Sequence, residues 1–279
     1  MPLQTITVAH SPDSDDAFMF YALAKDKLDT GNLRFEHVLS DIETLNQKAL
    51  TETYDVSAVS IHAFAYLTDK HALLSSGASM GDGYGPRLVA REPFDLSQLR
   101  GRLVAAPGER TSAILALKLL EPDVQTTIVP FDQIIPYVKA GHAEVGLLIH
   151  EGQLTYKDEG LHLIGDLGEW WRGETGLPLP LGGNIIRRAL GPEVIAQVAR
   201  LLRESIQYAL DHRQEALDYA MQYARDLDAK RADTFVGMYV NELTVHYGER
   251  GKNAVREFLG RARDKGLIPH SVDVTFADA

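Results

Sequence analysis

Along the N-terminal third of the chain, apolar positions recur with two different periods. In LRFEHVL, residues 33–39, Leu33, Phe35, His37 and Leu39 share one side and polar residues fill most of the other, the spacing of a strand. TITVAH, residues 5–10, reads as a strand as well, and DAFMFYALAKDKL after it is a largely apolar helix. SDIETLNQKAL reads as a helix opened by a capping box, Ser40 accepting from the amide of Glu43 and Glu43 reaching back. YDVSAVSI and HAFAYLTDK repeat the strand-then-helix order. A β-α-β-α-β sequence of this kind implies a parallel sheet with right-handed crossovers.

Near residue 90 the alternation restarts. RLVAAPG, QTTIVPF, AEVGLLIH and GLHLIGDLG are strand candidates, with RTSAILALKLL and DQIIPYVKAG as helices between them. From Pro192 onward helical spacing dominates. The pattern predicts an α/β chain of two lobes. Residues 1–92 start the first lobe, 93–184 form the second, and 185–279 cross back through GGNIIRRAL and pack helices on the first. Length agrees, because single cores stop growing at roughly 250–300 residues and this chain has 279. Ligands of open α/β sheets bind at the carboxyl ends of strands, so the strand-to-helix turns should face a cleft between the lobes.

Composition narrows the partners. A net charge of -11 without a Lys/Arg run disfavours nucleic acid. The chain has no cysteine, which excludes disulfides, thiolate nucleophiles and cysteine-bound metals. No apolar run approaches the ~20 residues of a membrane helix, and the N-terminus lacks the basic and apolar regions of a signal peptide, so the expectation is a cytoplasmic protein.

Three turns carry candidate chemistry. HSPDSDDAF offers Ser11 or Ser14 as helix cap and crowds Asp13, Asp15 and Asp16 together. SAVSIHAF places Ser57, Ser60 and His62 after the third strand, and Ser60 taken alone reads as an N-cap. APGERTSA puts Thr111 and Ser112 at a helix start, where free amides and two hydroxyls suit a carboxylate or phosphate. GDGYGPR lacks the strand-before, helix-after context of a dinucleotide fingerprint and reads as a loop. HEGQL has Leu154 where a zinc-binding HExxH motif needs its second histidine. His150 ends the apolar strand of GLLIHEGQLTY beside Glu151, either an ordinary strand-end residue or a base at the cleft mouth.

SPDSDDAFMFYAL, DIETLN, GLLIHEGQLTY and DLGEWWRGETGLPLPLG, in that order along the chain, resemble the 1,4-dihydroxy-6-naphthoate synthases of menaquinone biosynthesis. The resemblance implies the two-lobed, type II periplasmic-binding-protein-like fold with a central cleft. It implies a lyase that opens cyclic dehypoxanthinyl futalosine by proton abstraction and carbon–carbon cleavage. By position His150 matches the proton acceptor, Thr111 and Ser112 the substrate-binding hydroxyl pair, and Ala58, Val59 and Ser60 the substrate-contacting turn. Ser11 and Asp15 join them as substrate-binding candidates from the opening turn, and neither metal nor cofactor is called for. The opening departs from the family's SPCPNDTF, since Asp13, Ser14, Asp15 and Ala17 stand at the Cys, Pro, Asn and Thr positions. Ala58 also stands where some relatives carry lysine. The alternatives are a solute-binding protein for a small carboxylate and a related chorismate-dehydrating enzyme.

Overall fold

The computed structural model describes residues 3–224, 228–269 and 271–278. Its strands are β1 (Gln4–His10), β2 (Leu33–Leu39), β3 (Val56–Ser60), β4 (His71–Leu74), β5 (Ser79–Gly81), β6 (Arg87–Ala90), β7 (Leu103–Ala106), β8 (Gln125–Ile128), β9 (Val145–Leu148), β10 (His162–Asp166), β11 (Leu179–Arg187) and β12 (Phe276–Ala277). They build two sheets. One has the order β12-β4-β11-β3-β1-β2, with β5 also on β11; the other runs β10-β6-β9-β7-β8. By sheet membership the chain enters the second lobe at β6 and returns at β11, each slightly before the expected junctions at 92 and 184.

The sheets are mixed rather than wholly parallel. β1 runs parallel to β2 and β3, and β7 to β8 and β9, as βαβ crossovers require. β11 is antiparallel to β3 and β4, and β6 is antiparallel to β9 and β10. These strands carry the chain between lobes, so their direction is set by the crossing. The crossing aligns the strand ends as a cleft demands: Gly182 at the start of β11 pairs with Ser60 at the end of β3, and Arg87 pairs with Leu148.

Helix Pro192–Asp211 buries Val198, Leu201, Leu202 and Ile206 in a core shared with Ile6 and Val8 of β1, so the C-terminal helices do pack on the first lobe. A larger core unites the lobes. It runs from Val59 and Leu73 through Trp171 and Phe258 to Val104 and Leu147. Trp171 is fully buried, donates from Nε1 to Pro178 O at 3.1 Å, and meets the edge of Phe258 at 5.4 Å. Burying such a ring removes 150–250 Å² of surface from water, so this spine resists sliding of the lobes. Among the described residues no helix is long and apolar enough to cross a membrane.

Candidate active site

Between the lobes lies a cleft walled by both of them, the kind of concave site at which small molecules bind. The turn after β1 brings Ser11 and Asp15 to its wall, and the end of β3 brings Ala58, Val59 and Ser60. From the second lobe come Thr111, Ser112 and His150. Every residue expected at the site therefore lines it. Gln153, Asn184 and Tyr239 line it too, unforeseen, and so does Asp13 of the acidic opening turn.

β9 is buried along its whole length and delivers His150 to the cleft in the left-handed region, with φ of 60°. That backbone costs roughly 1–2 kcal/mol for a residue other than glycine, and such strain gathers at functional positions. His150 Nδ1 lies 2.8 Å from Asp13 Oδ2. Asp13 occupies the N-cap position of helix Ser14–Met19, yet its side chain caps nothing there. Its carboxylate instead crosses the cleft, and Ser11 Oγ donates to the same Oδ2. The Ser11 amide donates to Asp16 at 2.7 Å. Phe131 meets the edge of the imidazole with ring centres 4.5 Å apart. His150 Nε2 is buried and has no hydrogen-bond partner in the protein.

Charge is concentrated around this ring. Burial draws the His150 pKa down, but the Asp13 charge and hydrogen bond, with Glu151 and Asp15 nearby, overcome it and raise the ring to about 9. Burial and the Asp13 charge push Asp15 up to about 6 and Glu151 up to about 7. Burial, then Asp15 and Asp13, hold Asp16 well above the ordinary carboxylate range. No lysine or arginine lines the cleft among the described residues.

The hydroxyl pair divides its work. Thr111 caps helix Ser112–Leu120, accepting from Ile114 N at 3.3 Å and donating to Gly108 O at 3.0 Å. Ser112 Oγ donates to Leu181 O of β11 and accepts from His62 N at 3.2 Å, tying the two lobes together. Both hydroxyls are thus engaged within the protein, and the first-turn amides of Ser112 and Ala113 supply the positive helix end. Ser60 does not cap by its side chain; Asn46 accepts from its amide at 2.9 Å and donates to its Oγ at 3.2 Å. The expected Ser40 capping box is replaced by Asp41, whose Oδ1 accepts from Thr44 N at 3.0 Å. Glu43 turns instead to the second lobe and accepts from Arg110 N at 3.4 Å.

Two further contacts shape the cleft. Tyr239, near the end of helix Ala229–Tyr239, donates to Gln153 Oε1 across the gap at 2.8 Å. Asn184 of β11 donates to Gly77 O at 3.1 Å, and a Cβ on Gly77, whose φ is 81°, would sit 2.1 Å from Asn184 Nδ2.

Comparison with known proteins agrees with this architecture. The chain is 38% identical over 275 residues to a "1,4-dihydroxy-6-naphtoate synthase" of Streptomyces coelicolor, covering 96% of each. It is 39% identical over 269 residues to the protein of that name from Thermus thermophilus, covering 96% of this chain and 98% of the relative. Protein AF1704 from Archaeoglobus fulgidus superposes with a TM-score of 0.91 at 49% identity, covering 95% of this chain and 98% of its own. The alkanesulfonate-binding protein SsuA from Xanthomonas axonopodis pv. citri, 11% identical, shares the fold at a TM-score of 0.76 over the whole of both chains. A Candida albicans protein with the generic periplasmic binding protein fold matches at 0.65 and 16% identity, over 99% of this chain and 98% of that one. A sequence model described as Menaquinone biosynthesis matches residues 6–264, and the chain belongs to that family.

Proposed function

We propose that this protein is a 1,4-dihydroxy-6-naphthoate synthase that cleaves cyclic dehypoxanthinyl futalosine, with His150 Nε2 as the base. The observation that carries the reading is the imidazole held through Nδ1 by Asp13 at 2.8 Å, which leaves Nε2 as the nitrogen for a guest. The start of helix Ser112–Leu120, on the same lobe, receives the carboxylate of the guest through its amides. Nε2 takes a proton from the guest, and the electron pair of that broken bond drives carbon–carbon cleavage. The pair of the cleaved carbon–carbon bond stays with the naphthoate fragment, and the other fragment leaves as the second product. Asp13 steadies the imidazolium that forms.

Family membership supports an enzyme over a transport receptor, and so does the dyad, because a receptor gains nothing from a strained histidine. A ring titrating at about 9 is mostly protonated at neutrality, so kcat/KM should climb with pH toward that value. The test is to give purified protein the cyclic substrate and follow naphthoate release. Wild type should turn over, and His150→Ala should retain its fold and lose about 10²–10⁴-fold in rate. Tight binding of the substrate without turnover by wild type would favour a solute-binding role. Equal rates for wild type and variant would remove His150 from the mechanism.

A further inference from the structure

The polar pair at the centre of the cleft is divided between the lobes. Asp13 follows β1 in the first sheet; His150 follows β9 in the second. The contact between them closes a gap that other bonds close as well, Tyr239 to Gln153 at 2.8 Å and Ser112 to Leu181. Nε2 is buried in this arrangement, so a guest can reach it only if the lobes part.

We propose that Asp13 is a positioning residue for the base, and that lobe closure over the guest assembles the Asp13–His150 pair. The inference rests on the function proposed above. Three observations converge on it. Asp13 stands at a cap position, yet its carboxylate turns from the helix to meet the His150 ring at 2.8 Å. Ser11 Oγ donates to the oxygen that meets the imidazole and fixes its direction. His150 adopts a left-handed backbone that turns the ring toward the first lobe, with Phe131 against it. A carboxylate on Nδ1–H selects the tautomer whose Nε2 is the acceptor, and it stabilises the imidazolium once Nε2 has taken its proton. In the open state the ring loses this partner, faces water and can adopt either tautomer.

The charged and titratable groups facing His150 are Asp13, Asp15 and Asp16 from the first lobe and Glu151 beside it in the chain. Among them only Asp13 is hydrogen-bonded to the ring. Removing its charge while keeping its shape should therefore bring the His150 pKa from about 9 toward the ordinary histidine value.

The experiment combines nitrogen NMR of the histidine rings with kinetics. In Asp13→Asn the His150 titration should move to lower pH by more than one unit. The kcat should fall about 10²–10⁴-fold with KM changed less than about threefold, and Asp13→Glu should recover part of the loss. Tyr239→Phe, which weakens closure with Asp13 intact, should give an intermediate titration shift in the free protein. In wild type the neutral ring should carry its proton on Nδ1, a readout that needs no variant. An unmoved His150 titration in Asp13→Asn, a kcat within threefold of wild type, or a neutral wild-type ring protonated on Nε2 would each overturn the proposal. An unmoved titration in Tyr239→Phe would overturn the link to closure. If the titration shifts as stated while wild type turns over no substrate, the pairing stands and the assigned reaction fails.

Discussion

Tyr239→Phe isolates the energetics of closure. The hydroxyl of Tyr239 donates to Gln153 Oε1 at 2.8 Å between two side chains that are 4% and 1% exposed. The ring itself is held by Phe235 at 5.1 Å and Tyr84 at 5.9 Å, so phenylalanine keeps the packing and loses only the hydroxyl. Gln153 Oε1 is then left buried without its donor, a cost of about 1–3 kcal/mol. Once the lobes part, water reaches that oxygen and the cost disappears. The full penalty therefore falls on the closed state relative to the open one, a factor of about 5 to 150 in the closure constant. In the proposed mechanism Nε2 acts in the closed cleft, so kcat/KM should fall within that range. Small-angle scattering of the unliganded variant should show a larger radius of gyration. A kcat/KM within twofold of wild type, together with unchanged scattering, would refute the assignment of this bond to closure.

Two further outcomes concern stability. Gly77→Ala should lower stability by about 3–5 kcal/mol, because the added methyl meets Asn184 Nδ2, the left-handed backbone is strained and the Gly77 O bond is disturbed. Chemical denaturation measures this loss, and a value below about 1 kcal/mol would contradict the geometry. The pH dependence follows from His150, whose folded pKa of about 9 lies above its ordinary 6.5. Its contribution is complete below pH 6.5 and is lost as pH rises through 9, an effect of about 3 kcal/mol. Buried His10 and His62, held down to about 3 and about 4, act in the opposite sense, but only below pH 6.5. The melting temperature should accordingly fall between pH 7 and pH 9, and fall less in His150→Gln; a flat wild-type profile would contradict the pairing.

Periodicity made the outer form of the molecule legible. β2 coincides with LRFEHVL because alternating burial leaves a direct trace in sequence. β4 and β5 leave none, since β4 is buried at every position and β5 is too short to alternate. The expectation of a parallel sheet failed at β6 and β11, where direction depends on which lobe the chain is leaving. The site divided in the same way. His150 was legible as the polar end of an apolar strand, and the turn hydroxyls as residues suited to a helix start. The second hydroxyl at Ser112 joins the lobes, which its own neighbours in sequence do not reveal. Asp13 was visible only as part of an acidic run. Its partner lies on the other lobe, and local rules record no contact of that span.

The absence of lysine and arginine from the described cleft wall has a consequence for which metabolites the molecule admits. In the proposed function a single carboxylate meets amide dipoles at a helix start, which suit one negative charge. A phosphate ester or nucleotide brings more, and no ammonium or guanidinium stands ready to neutralise it, while the Asp13 carboxylate repels it. On the proposed function, phosphorylated compounds of similar outline should bind more weakly than the carboxylate guest.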